Sequence, residues 1–285
     1  MQFDGMDCKE EIFPRGVCKE ENMKLVVFCD YGLDDGAATC DILSHASAFS
    51  SIDIVAIGGN VPTEVALCNA KKLLAAWGDL PQNVRIVDTT LLPQPSEFLK
   101  FIHGEDGMGS LFSEAESPVP VLSYSEWVSS LEDGFILLSL GPMTVVEHLL
   151  KEKTPSQFIF MGGNVAEEPN YNGYEFNHGV NRSAFSACVR RPHVAITMDT
   201  CRNPLLNVQE SGLDGEGMMR DFVRKIRQMT FVSGEKGCYV WDDMAVKYLL
   251  HPEWFTLYNG VDKDGNLLTV AKYVLEKKYG EIIDL

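Results

Sequence analysis

Short, nearly unbroken apolar runs alternate along this chain with amphipathic stretches, and most runs end in glycine or a small polar residue. KLVVFCD opens at Lys24, breaks into the polar loop YGLDDG, and gives way to AATCDILSHAS at helical spacing, which reads as strand, loop, helix. The unit recurs in IDIVAIGGN followed by TEVALCNAKKLLAAWG, a helix closed by Gly78, and in FILLSLGPMT followed by VVEHLLKEK. VRIVDT, QFIFMGGN and HVAITMDT supply three more strands. Strands apolar on both faces must be covered on both faces, so the pattern predicts an α/β fold with a mostly parallel central sheet between two helical layers. Ligands of such sheets bind at the carboxyl ends of the strands, and there stand Asp30, Asn60, Gly141 and Asn164. No linker composition and no repeat period divides the chain. We expect one domain over 24–285, preceded by an N-terminal extension at 1–23.

Composition narrows the function classes. With 24 Lys+Arg against 41 Asp+Glu, the formal charge is −17, and such a surface repels phosphate backbones and anionic lipid, which speaks against nucleic-acid or membrane partners. The 45% hydrophobic and 23% charged residues are ordinary for a folded soluble protein. Eight cysteines are scattered without a C-x-x-C pair, as expected for reduced, buried thiols in a reducing compartment. The charged N-terminus has no apolar signal core, and no apolar run reaches the ~20 residues that span a bilayer. A cytoplasmic location is therefore expected.

Four segments carry candidate chemistry. DYGLDDG places Asp30, Asp34 and Asp35 within six residues at a strand-to-helix turn; close carboxylates repel unless a cation neutralises them, and all-oxygen ligation suits calcium or magnesium. The plain alternative is a solvated acidic loop capping a helix. WDDMAVKYLL sets Asp242 and Asp243 at a helix start after Trp241, FIHGEDGMG joins His103 to a glycine-rich acidic loop, and NGYEFNHG spaces Glu175 and Asn177 around Phe176. Read as extended chain, the last spacing turns both polar groups to one face. Each segment alone fits a cap or a surface turn.

Read in order, DYGLDDGAA, IVAIGGN, HGEDGMG, LGPMT, FMGGN, EFN and WDDMAVKYL resemble the inosine-uridine-preferring and related nucleoside hydrolases, over about Lys24 to His251. The resemblance implies a Rossmann-like nucleoside hydrolase fold, hydrolysis of the N-glycosidic bond of ribonucleosides, and a bound Ca2+. It also implies a homodimer or homotetramer. By the same resemblance Asp30, Asp35, Asp242 and the Leu140 carbonyl would hold the calcium, and Asp30 would be the general base. Asp34, Asn60, Glu175 and Asn177 would bind the ribose hydroxyls, beside Phe176. A further sugar-binding Asn would be Asn170 or Asn172, which compete for the alignment.

Departures from the family pattern matter too. Phe28 stands where a second Asp is usual, Tyr31 replaces a Pro, and Val145 replaces an Asn after the GPMT segment. Trp241 stands where the inosine-uridine branch carries a His that could protonate the leaving base. A tryptophan there resembles the purine-preferring branch, in which it stacks on the base, so purine ribosides are expected to be preferred, as in purine salvage. His103 and His178 remain candidates to meet the base. Two other readings compete: a magnesium phosphohydrolase, which lacks a P-loop or a basic clamp, and a catalytically silent riboside-binding member.

Overall fold

The computed structural model describes residues 23–81, 83–95, 97, 99–210, 213–233 and 237–285. The arm expected at 1–23 lies outside the described residues except Met23, which opens strand β1 (Met23–Cys29). Eight more strands follow among the described residues: β2 (Phe49–Ala56), β3 (Val84–Asp88), β4 (Val121–Ser123), β5 (Ile136–Ser139), β6 (Gln157–Met161), β7 (Val194–Ile196), β8 (Phe255–Val261) and β9 (Leu267–Tyr273). They form one sheet in the order β4-β3-β2-β1-β5-β6-β7-β9-β8, parallel throughout except for the β8–β9 hairpin. All six strands expected from the apolar runs are present. The three additions are β4 and the closing hairpin.

The helices are α1 (Leu33–Ser44), α2 (Thr63–Trp77), α3 (Lys100–His103), α4 (Tyr124–Ser130), α5 (Thr144–Glu152), α6 (Phe176–Val180), α7 (Arg182–Cys188), α8 (Met198–Cys201), α9 (Met218–Ser233), α10 (Trp241–Leu250) and α11 (Tyr279–Ile282). Strand β1 shows why its sequence has no polar face. Leu25, Val27 and Cys29 join one core with Ala37 and Ile42 of α1 and Met244 and Leu249 of α10, while Val26 and Phe28 join the opposite core with Val146 and Leu149 of α5 and Phe185 of α7. Each such fully buried side chain contributes about 1.5–3 kcal/mol of apolar burial. Phe28, the departure before Asp30, packs edge-on to Trp127 at 6.4 Å, so the missing carboxylate is replaced by core packing.

The sheet order fixes where a ligand binds. From β1 the chain moves outward through β2, β3 and β4, then returns to β5 on the other side of β1, so the winding reverses between β1 and β5. Their carboxyl ends splay apart at that reversal and leave a crevice. Asp30 and Leu140 stand on its two lips, and the Leu140 amide donates to the Phe28 carbonyl at 2.9 Å.

Candidate active site

The β1–α1 turn is built to turn carboxylates inward. Tyr31 adopts a left-handed φ of 47°, unusual for a residue with a bulky side chain, and folds the chain back so that α1 begins at once. Asp35, in the first turn of α1, accepts from the amides of Asp30 at 3.1 Å and Gly32 at 2.9 Å, the reach-back contact of a helix start. Asp30 is fully buried, and both its oxygens are held by Asn60: the Asn60 amide donates to Oδ2 at 2.7 Å and its side-chain Nδ2 to Oδ1 at 2.9 Å. That fit requires glycine beside it. A Cβ on Gly59 would lie 1.9 Å from Asp30 Oδ2.

Asp242 arrives from α10, and carboxylate oxygens of Asp34, Asp35 and Asp242 all lie within 4.8 Å of one another. The N-termini of α1 and α10 both face this group, and their dipoles favour negative charge. That is only partial compensation. Burial pushes the Asp30 carboxyl up to about 7 and also raises Asp34; burial and then the neighbouring carboxylates push Asp35 and Asp242 well above the usual range. The nearest cationic candidate is His103, 4.0 Å from Asp34 Oδ1. Its Nδ1 accepts from the Leu33 amide at 3.1 Å, which leaves no proton on that nitrogen, and burial lowers its pKa against the opposing pull of Asp34. Asp34 Oδ1 is buried with no hydrogen-bond partner. A converging set of hard oxygen donors with no protein cation among them fits a divalent ion such as calcium.

The sugar-binding candidates line the same cavity in different ways. Asp34, Asn60, His103, Leu140, Asn170, Glu175, Phe176, Asn177, Trp241 and Asp242 all contribute to its wall. Of the two competing asparagines, both exposed, Asn170 lines the cavity, whereas Asn172 sits on a turn with φ 47° and does not. Glu175 and Asn177 differ from the extended reading because α6 begins between them. The Glu175 carboxylate caps that helix, accepting from the amides of Asn177 at 2.9 Å and His178 at 3.0 Å, and from Gly163 at 2.7 Å. Burial nonetheless pushes it up to about 7. Asn177 Nδ2 donates to the carbonyls of Leu140 at 2.9 Å and Met161 at 3.1 Å, joining the ends of β5 and β6. His178 lies outside the cavity, stacked on Phe185 at 4.0 Å and bonded to Asp264 at 3.2 Å.

The cavity opens into an outer vestibule that shares Asp34, His103, Asn170, Phe176 and Trp241 with it, and adds Phe101, Tyr171, Tyr239 and Arg202. Tyr239 and Trp241 lie 5.5 Å apart, and the Arg202 guanidinium sits 5.8 Å from the Trp241 ring. Arg202 escaped the sequence reading; its signal was its place just after the HVAITMDT strand. A larger cavity lies at the amino ends of β6 and β7, lined by residues such as Phe158, His193 and Leu257. It holds no carboxylate, and the strand ends that build ligand sites are on the other side.

A family model described as inosine-uridine preferring nucleoside hydrolase matches residues 25–280. The chain belongs to the inosine-uridine preferring nucleoside hydrolase family. As a member of this family it is a ribonucleoside hydrolase, an enzyme acting on N-glycosyl bonds. A probable uridine nucleosidase 1 of Oryza sativa subsp. japonica is 27% identical over 262 residues, covering 84% of this chain and 80% of its own length. The structure is also similar to a purine-preferring ribonucleoside hydrolase from Gardnerella vaginalis, with TM-score 0.72 and 20% identity over 92% of this chain and 96% of that one. A plant nucleoside hydrolase gives TM-score 0.71 and 18% identity over 92% and 98%. At these identities the structural likenesses speak to the fold. Among the described residues, no helix is long and apolar enough to cross a membrane.

Proposed function

We propose that this hydrolase cleaves purine ribonucleosides to free base and ribose at the β1/β5 crevice, with Asp30 as general base and calcium as cofactor. The observation that carries the reading is the convergence of buried carboxylates from α1 and α10 beside Asp30, with Asn60 gripping that residue. Asp35 and Asp242 are the ligands supported by both resemblance and geometry; Asp30 and the Leu140 carbonyl complete the set that the resemblance implies. When bound, such an ion supplies Lewis-acid chemistry, stabilising negative charge on a nearby oxygen.

The chain's own residues account for the rest. Asn60 fixes both Asp30 oxygens, so the carboxylate is aimed before substrate arrives. In the reaction Asp30 accepts the proton of the attacking water, whose oxygen bonds to the ribose C1′ as the C–N bond breaks. Positive charge builds on the sugar, and the carboxylates around it stabilise that charge. Asp34 Oδ1, buried without a donor, accepts a ribose hydroxyl, and Asn170 reaches the sugar from the opposite wall. Trp241 offers its ring to the base. The purine preference rests on that ring, which presents its larger contact to a bicyclic base.

The test is to incubate purified protein and calcium with ribonucleosides, nucleotides and phosphate esters, and to assay ribose, base and phosphate. Ribose and base from inosine, guanosine or adenosine faster than from uridine is the expected result. Release of phosphate, or riboside binding without turnover, overturns it.

A further inference from the structure

The outer vestibule holds a cation that the cleavage step does not use. Arg202 follows α8 at the carboxyl end of β7, and the Cys201 thiol before it donates to the Trp241 carbonyl at 3.7 Å, tying the α8 end to the start of α10. The Arg202 guanidinium is pinned through one nitrogen: Nη1 donates to the Glu168 carbonyl at 2.7 Å and to Glu167 Oε2 at 3.3 Å. Its Nε and Nη2 make no hydrogen bond among the described residues, and the side chain lines the vestibule beside Tyr239 and Trp241. The guanidinium is thus held in place with donors to spare, over the Trp241 ring at 5.8 Å and beside Tyr239, in an aromatic-lined vestibule where a base can stack.

The geometry points to Arg202 as the residue that selects 6-oxopurine ribosides, its free N–H groups donating to the base carbonyl oxygen. This inference rests on the hydrolase reading and deepens it. As the C1′–N9 bond breaks, its electron pair passes to N9 and spreads over the base toward O6, where the guanidinium stabilises it; the base leaves as an anion and takes its proton from solvent. No protein acid is needed at that step, in keeping with the neutral His103. Adenosine presents an amino donor at the same place, so the Arg202 donors meet no acceptor. A site built to donate to a substrate carbonyl discriminates strongly against analogues without it.

The experiment compares kcat/KM for inosine, guanosine, adenosine and purine riboside, which has hydrogen at position 6, in the wild type, Arg202→Met and Arg202→Lys. The wild type is expected to prefer inosine and guanosine to adenosine. Arg202→Met should lose about 10- to 100-fold on the two oxo substrates, the range for a hydrogen bond to a charged group, and less than about 3-fold on purine riboside; Arg202→Lys should recover part of the loss. Calorimetry gives a readout independent of turnover: hypoxanthine should bind Arg202→Met more weakly than wild type, with adenine unchanged. Equal losses on all four substrates, or oxo-substrate activity in Arg202→Met within about 3-fold of wild type, overturn the assignment while leaving the hydrolase reading intact. A wild type that cleaves no nucleoside overturns that reading, and hypoxanthine affinity then judges Arg202 as a base-binding residue alone.

Discussion

The tightest constraint in the site falls on a residue without a side chain. Gly59 backs directly onto the Asp30 carboxylate, so Gly59→Ala must push that carboxylate, the base in the proposed reaction, off its Asn60 grip. A misplacement of about 1 Å can cost on the order of 10² in rate, and that is the loss expected in turnover, with a stability cost of about 1–3 kcal/mol from the overpacking. Turnover within a few-fold of wild type would show that Asp30 tolerates movement and is not the base. Trp241→Ala tests the opposite wall. Stacking on a base is worth about 1–3 kcal/mol, so purine riboside kcat/KM should fall about 10- to 100-fold while calcium affinity, read by calorimetry, holds. Full purine activity in that variant would leave Trp241 as a core aromatic.

At the scale of elements, the site depends on how α1 and α10 meet, because one carries Asp34 and Asp35 and the other Asp242. A buried ion pair braces them: Lys247 of α10, fully buried, places Nζ 3.1 Å from Asp41 Oδ2 of α1 and donates to the Leu285 carbonyl at 2.9 Å. Removing one partner of such a pair strands the other charge, which typically costs about 3–5 kcal/mol. Lys247→Met should be destabilised by that amount in urea unfolding, and Asp41→Asn added to it should restore part of the loss. A single variant within about 0.5 kcal/mol of wild type, the range of neutral surface changes, would mean the pair braces nothing. How much of the architecture was legible follows from burial. Strands covered on both faces announce themselves as apolar runs; β8, at the sheet edge, leaves Leu257, Tyr258 and Val261 exposed and has no such run. The carboxylates were legible because their crowding is chemically odd. The helix-capping role of Glu175 was not, since two polar groups flanking Phe176 suit an extended segment as well as a helix start. Nor was Arg202, whose meaning depends on a tryptophan 39 positions away.

For the whole molecule, the buried carboxylates couple protons to stability, and under the proposed reading they couple both to calcium. In the metal-free chain Asp30 and Glu175 rise from 3.8 and 4.5 to about 7, so between about pH 4 and 7 the folded form holds protons that the unfolded form has released. Stability therefore falls as pH rises through that window, and the metal-free melting temperature should be higher at pH 5 than at pH 8. Calcium should raise the melting temperature at pH 8, since a ligand at about 100 times its Kd adds about 2.7 kcal/mol. Asp35→Ala should lose the calcium response. A pH-independent melting temperature without metal, or no calcium shift in the wild type, would contradict the coupling.

The two ends of the cavity come from different parts of the chain. Its floor is made by Asn60 and Leu140 beyond β2 and β5, by Met161 of β6 and by the first turns of α1 and α10, while its rim is made by α3, the loop before α6, Arg202 and Tyr239. Inheritance can act on these separately. Rim residues hang on surface connections whose exchange leaves the sheet and its carboxylates untouched, so a lineage can change its diet of bases while its cleavage chemistry stays fixed.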